Sequence, residues 1–322
     1  MRKHSAIAAV VALALLFVPN AIGQTATGRA STDASLRVIL LGSGVGPPVS
    51  LSQFGASTLV EAGGQRLLFD AGRGATIRLA QAGVPTHTVT KVFLTHLHSD
   101  HVIQLPDLLL TAWVGPGGGV PGRTVPLEVW GPDGTVDMMS GIEKAFAFDI
   151  HVRRDVDEKF SADGISVRSH DIKEGVVFSE GGVRVTAFLV DHAPIAPAFG
   201  YRVDYAGHSV VLSGDTRVSE NLMRHAQGTD VLIHEAYDAD TARARSPNLA
   251  VTNAVIAHHT TPGEAGRIFA RVKPRLAVYS HAPATAAVIA QTRRTYAGPL
   301  QGAEDLLEIS IGNEVVVRTL GQ

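Results

Sequence analysis

The chain's 322 residues are 45% hydrophobic with ordinary glycine and proline levels, which suffices for one large core and excludes a disordered or collagen-like chain. Its 28 basic and 30 acidic residues give a formal charge of −2, which argues against a nucleic-acid-binding protein because phosphate contacts need a basic surface. There is no cysteine, so disulfides and a lipid-modified N-terminal cysteine are excluded and metal–ligand bonds are the only cross-links open to it.

Residues 1–23 read as a secretory signal peptide: Arg2 and Lys3 make a basic start, Ala6 to Val18 an apolar run, and Pro19 to Gly23 a small-residue exit. The run falls short of the roughly 20 residues a membrane span needs, so the expectation is a cleaved leader with no stable membrane anchor and a periplasmic or secreted mature protein. Losing Arg2 and Lys3 would leave 26 basic against 30 acidic residues, a charge of −4. Residues 24–35 are small and polar and read as a flexible lead-in; 36–322 read as one domain.

Leu36 to Leu41 is expected as a strand, and Ser57 to Glu61 pairs with Gln65 to Asp70 around Gly63-Gly64 as a hairpin. Ala75 to Gln81 is a helix closed by Gly83 and Pro85. Lys91 to Leu94 is a short buried strand, and Val102 to Trp113 is an apolar helix. Between these two, Thr95-His96-Leu97-His98-Ser99-Asp100-His101 puts three imidazoles and a carboxylate on a strand-to-helix loop. There His96 and His98 can turn toward one cation while Asp100 and His101 turn toward a second. Imidazole nitrogen and carboxylate oxygen without thiolate suit two Zn²⁺, with Mn²⁺ or Fe²⁺ as substitutes.

Gly115 to Gly122 cannot be regular structure and reads either as pocket mouth or as a surface connection. Leu127 to Trp130 returns as strand and Val136 to Phe146 as helix; Ile165 to Ser169, Val176 to Ser179 and Val183 to Val190 are further strands. Asp191-His192 follows the last of these. Phe199 to Val203 then turns at Ala206-Gly207 into Val210 to Leu212, which ends in Ser213-Gly214-Asp215-Thr216. Val231 to Ile233 ends in His234-Glu235-Ala236-Tyr237, and Leu276 to Ser280 ends in His281. Between these lies His258-His259-Thr260-Thr261-Pro262, ahead of a helix over Gly263 to Ala270 that Thr261 would cap. A helix over Ala286 to Arg294 and strands Leu306 to Ile311 and Val315 to Thr319 are expected to close the second layer. Taken alone, His192 is as readily a core histidine and Asp215 a cap for a helix near Val218.

The HxHxDH run after an apolar strand resembles the metallo-β-lactamase superfamily. From Leu36 past His281 the pattern is similar to its ribonuclease Z-like branch and to the related secreted arylsulfatases. The resemblance implies an α/β fold, an αββα sandwich of two mixed β-sheets flanked by helices. It implies that His96, His98 and His192 hold one metal, that Asp100, His101 and His281 hold the other, and that Asp215 bridges them. Phe69-Asp70-Ala71-Gly72 resembles the early aspartate motif, with Asp70 supporting the metal loop from behind. His234-Glu235-Ala236 matches the His-Glu-Ala-Thr motif and His259-Thr260-Thr261 the His-Ser-Thr loop. His259 is then the proton donor, His258 being one position out of register, and Asp100 orients the nucleophile while ligating.

A ribonuclease Z carries a long basic arm between the Gly-Tyr-Arg and Ser-Gly-Asp-Thr strands, where this chain has the turn Ala206-Gly207. With the arm missing, an acidic balance and a leader, the expected function is a secreted dinuclear-zinc hydrolase of a small anionic ester, a phosphate diester or an aryl sulfate. Carbon-centred hydrolysis of a β-lactam, lactone or thioester is the alternative. Ribonuclease Z-type transfer-RNA 3′ processing and a non-catalytic binding role rank below both. Nucleic acid is not expected as a partner, and the oligomeric state is open, a homodimer included.

Overall fold

The computed structural model describes residues 36–321; the leader and lead-in expected over residues 1–35 lie outside them. β1 (Leu36–Gly42), β2 (Ser57–Ala62), β3 (Gln65–Phe69), β4 (Lys91–Phe93), β5 (Leu127–Gly131) and β6 (Val167–Asp171) lie side by side in one sheet. β7 (Gly175–Glu180), β8 (Val183–Val190), β9 (Ala198–Tyr205), β10 (His208–Leu212), β11 (Val231–His234), β12 (Leu276–Tyr279) and β13 (Leu300–Gln301) make the second. β14 (Leu307–Ile311) and β15 (Val315–Thr319) return to the first sheet, beside β1. Each sheet starts with antiparallel hairpins and changes to parallel pairing, at β3–β4 and at β10–β11.

Alternate residues of a strand face opposite ways, which sorts the apolar residues into layers. Leu36, Val38 and Leu40 of β1 join Val183, Val185, Val203 and Val210 between the sheets. Ile39 and Leu41 face outward into the cluster of Leu79, Leu105, Leu108 and Trp113, contributed by the helices Ala75–Gln81 and Leu105–Val114. On the far side Val211, Leu232 and Ala277 meet Ile268 and Phe269 of the helix Pro262–Val272. The order is helix, sheet, sheet, helix: the αββα sandwich of two mixed sheets.

Two local expectations change. The last two strands, β14 beside β1 and β15 beside β14, complete the first layer, because Ile309 and Ile311 supply inter-sheet core beside Val38. Ile165 ends a short helix, Ala162–Ile165, whose start is fixed by Ser161 accepting from the Gly164 N–H. Helices Ala239–Arg245 and Leu249–Ile256, capped by Asp238 and Asn248, fill a stretch to which the sequence assigned no element. Gly115 to Gly122 is irregular as expected, and it lines no part of the cavity beside Asp100. No described helix is long and apolar enough to cross a membrane.

Candidate metal centre

The ends of β3 and β4 in one sheet, and of β8, β10, β11 and β12 in the other, deliver the chemistry-bearing side chains to one edge of the sandwich. His96 and His98 follow β4, and Asp100 and His101 sit on the single turn Ser99–Val102. His192 follows β8, Asp215 β10, Glu235 β11 and His281 β12, the last with a backbone φ of +50° that aims its ring inward. Rigid strand ends hold these groups while the adjoining loops stay open to a ligand.

The seven residues converge. His96 Nε2 lies 3.0 Å from His98 Nδ1, and His192 Nε2 lies 3.4 Å from that same nitrogen. Asp215 Oδ2 stands 3.8 Å from His96 Nε2 and 3.4 Å from His101 Nε2. Asp100 Oδ2 faces His281 Nε2 at 3.2 Å and His101 Nε2 at 3.5 Å, and His281 Nδ1 is 3.3 Å from Asp215 Oδ1. His96, His98, His192 and Asp215 thus form one group, Asp100, His101 and His281 a second, and Asp215, His259 and His281 a third, with ligand atoms within 4.8 Å of one another in each.

The outer atoms fix which nitrogens face inward. His192 Nδ1 donates to the His258 carbonyl at 2.9 Å, and His101 Nδ1 donates to Asp70 at 2.8 Å. Thr95 Oγ1 donates to Asp70 Oδ2 at 2.9 Å, so its lone pair accepts from His96 Nδ1 at 3.0 Å. Each of these rings therefore turns a bare Nε2 toward the centre. Converging lone pairs repel unless a cation lies between them. Among the described residues, His101 Nε2, Asp215 Oδ1 and His281 Nδ1 are buried without a hydrogen-bond partner, which costs free energy that a cation would recover. The donor set fits divalent metal.

Electrostatics agree at three of the histidines and run the other way at His101, where burial is outweighed by Asp215 and Asp70, which favour the charged ring as long as no cation stands in its place. Burial pushes His96, His98 and His192 down, toward the neutral form a metal ligand needs. For Asp215 burial works the other way, but His281 and then His101 outweigh it and keep the carboxyl ionised. Asp70 accepts from the Thr95 N–H at 2.8 Å as well, so it ties the metal loop to β3 without facing the cluster. Gly72, which ends that motif, has no room for a side chain: a β-carbon there would lie 2.5 Å from the Asp100 carbonyl oxygen.

His259 stands at the rim, its Nδ1 3.0 Å from Glu235 Oε1. Burial opposes its charged form, yet Glu235, by charge and by hydrogen bond, outweighs burial and raises the pKa to about 9. The neighbouring His258 has no such partner and burial takes it down to about 4. Glu235 also accepts from the Thr216 and Thr260 N–H groups, which leaves it fixed in place. Its role went unread in the sequence, although the His-Glu-Ala motif marked it. Asp215 caps no helix: the helix Glu220–His225 is capped by Ser219. His151, His170, His208 and His225 lie elsewhere, against Asp155, Trp130, Asp230 and Phe188.

The β-lactamase superfamily domain matches residues 65–282. The chain is 37% identical over 246 residues to a ribonuclease Z of Mycobacterium sp. (strain KMS), covering 76% of this chain and 84% of that protein. It is 35% identical over 283 residues to a ribonuclease Z of Mycobacterium avium (strain 104), covering 86% and 98%. The crystal structure of human tRNase Z, short form, superposes with a TM-score of 0.63 at 22% identity over 85% of this chain and 99% of that one.

These relatives overturn three expectations. The small anionic ester substrate gives way, because the curated relatives are named for ribonuclease activity and not for sulfatase or small-ester hydrolysis. The exclusion of nucleic acid goes with it. Net charge averages the whole surface and is silent about one cleft, and the short turn at Ala206-Gly207 does not discriminate. A chain with this short turn matches 98% of the length of the Mycobacterium avium ribonuclease Z. Export to the periplasm or beyond is likewise set aside, since the curated relatives are ribonucleases and the leader was read from residues outside those described.

Proposed function

We propose, since the chain belongs to the β-lactamase superfamily and is a ribonuclease Z-like metal-dependent hydrolase, that it hydrolyses the phosphodiester bond at the 3′ end of precursor transfer RNA. The names of its relatives support the substrate, and the Glu235–His259 pair beside Asp215 and His281 is the observation that carries the chemistry. His96, His98 and His192 would hold one cation, Asp100, His101 and His281 the other, with Asp215 between them. Nitrogen and oxygen donors favour zinc, with Mn²⁺ or Fe²⁺ able to replace it. When bound, such a pair supplies an activated water and positive charge against the phosphate.

The chain's own groups do the rest. Asp100 turns an oxygen into the centre and can accept from the water, aiming its lone pair at phosphorus. As the water oxygen bonds to phosphorus, the bond from phosphorus to the ribose oxygen breaks. A ribose alkoxide departs poorly unless protonated. With Nδ1 held by Glu235, His259 offers the Nε2 proton to that oxygen, and Glu235 stabilises the imidazolium as it is regenerated from solvent.

The test is to incubate metal-loaded protein with a precursor transfer RNA bearing a 3′ trailer and map the product. One cut releasing the trailer is expected, abolished by chelator. A preparation that turns over a nitrophenyl phosphodiester and leaves RNA intact would sink the substrate. Turnover of nitrophenyl sulfate or nitrocefin but of neither phosphodiester would sink the reaction class.

A further inference from the structure

Both ends of the segment from Ser43 to Phe54 hang on one buried carboxylate. Asp305, just ahead of β14, accepts through Oδ1 from the Ser43 N–H and Oγ, each at 2.9 Å, and through Oδ2 from the Phe54 N–H at 2.7 Å. Arg78 donates to the same Oδ2 at 2.8 Å and lies over the Phe54 ring, 4.4 Å from its centroid. At the neck the two ends are pressed together: a β-carbon on Gly42 would lie 2.0 Å from the Gly55 carbonyl oxygen.

The same anchored ends grip the chain just after His281. The Ala282 N–H donates to the Ser43 carbonyl at 3.1 Å. Gln53 Nε2 donates to Ser43 Oγ at 3.0 Å and to the Ala282 carbonyl at 3.1 Å, and its Oε1 accepts from the Ala284 N–H at 3.2 Å. Between its ends the segment arches outward, with Leu51 fully exposed, over a cavity of about 240 Å³ lined by Val45, Pro48, Phe54, Arg73 and Asp100. On the inner side the Gly46 N–H reaches His281 Nε2 at 3.2 Å. The arch is therefore a wall of the cleft at the Asp100 and His281 side of the cluster. Neither the arch nor Asp305 belongs to residues 65–282, the superfamily match that contains all seven cluster residues.

We propose that Asp305 is a positioning residue for substrate: it touches no reacting atom, but it sets the arch of residues 43–54 as the wall against which the group flanking the scissile phosphate is held. The inference rests on the phosphodiesterase reading, and it speaks to binding rather than to the chemical step. An interaction made equally in the ground and transition states moves KM and leaves kcat alone.

Asp305→Asn and Asp305→Ala, with Gln53→Ala as a milder cut of the same ties, should be compared with the natural chain on precursor transfer RNA and on a nitrophenyl phosphodiester, with bound metal counted. KM is expected to rise about tenfold, with kcat within about threefold and metal content unchanged. A purely structural role would instead lower the active fraction, so kcat would fall at constant KM, and that result would overturn the proposal. So would an unchanged KM in folded Asp305→Asn and Gln53→Ala. If the natural chain cleaves the nitrophenyl ester but not RNA, the transfer-RNA reading fails alone, and the variants' KM on the ester still decides this one.

Discussion

At His259 two effects compete, burial against the imidazolium and Glu235 for it, and with no cation in the cluster the second wins and raises the pKa to about 9. If that proton goes to the leaving group, His259→Ala keeps its metal and loses roughly 10²–10⁴-fold on an ester with an alkoxide leaving group. On a nitrophenyl ester, whose leaving group needs little help, the loss should be far smaller. Equal losses, or loss of metal, would show that the ring does something else. Glu235→Gln removes what holds the pKa up, so the acid form disappears sooner as pH rises. The alkaline limb of kcat/KM on the alkoxide ester should move down by about one unit or more, and a pH profile with that limb unmoved would refute the pairing. His96, His98, Asp100 and His101 were readable because they crowd one loop. His192, Asp215 and His281 were separated by whole strands, and only the order of the superfamily pattern pointed to them.

Among the elements, the five strands β3, β2, β1, β14 and β15 carry a row of alternating charge. Arg66 meets Glu61 at 2.8 Å, Glu61 meets Arg37, Arg37 Nε meets Glu308 at 2.7 Å, and Glu308 meets Arg318. Register makes the row: Arg66 lies opposite Glu61, Glu61 opposite Arg37, and Glu308 opposite Arg318. Burial alone would raise both acids, but Arg66 and Arg37 lower Glu61, and Arg318 and Arg37 lower Glu308. A carboxyl with a depressed folded pKa contributes stability above its unfolded value, lost as pH falls through the folded one. Arg37→Ala should therefore cost about 1–2 kcal/mol at neutral pH, and the difference from the natural chain should shrink below about pH 4.5. Urea unfolding at both pH values checks it. These partners lie far apart in sequence, so the expectation that the last strands close the second layer had no local signal to correct it. Ile309 and Ile311 would have suited either sheet; Glu308, held between Arg37 and Arg318, suits the first.

For the molecule as a whole, the cluster joins both sheets, since His96 to His101 come from the first and His192, Asp215 and His281 from the second. Ligand that binds only the folded chain stabilises it by mass action, and removing it leaves Asp215, His101 and His281 with buried unpaired atoms. Chelation should therefore lower Tm by on the order of 10 °C, with recovery on adding zinc; calorimetry showing no shift would mean that the seven residues hold no structural metal.

The local grammar of this chain was sufficient for much of its architecture. Gly63-Gly64 and Ala206-Gly207 placed their hairpins, the Thr261-Pro262 start placed its helix, and the dense histidine loop announced metal chemistry, because each depends on residues within a few positions of one another. Tertiary structure decided what depends on distance: Glu235 as the partner of His259, Asp305 as the anchor of a segment more than 250 residues away, and β14 as the neighbour of β1. The error about substrate has the same origin. Net charge and a short turn are properties of the chain summed or taken locally, whereas recognition belongs to a cleft assembled from six strand ends.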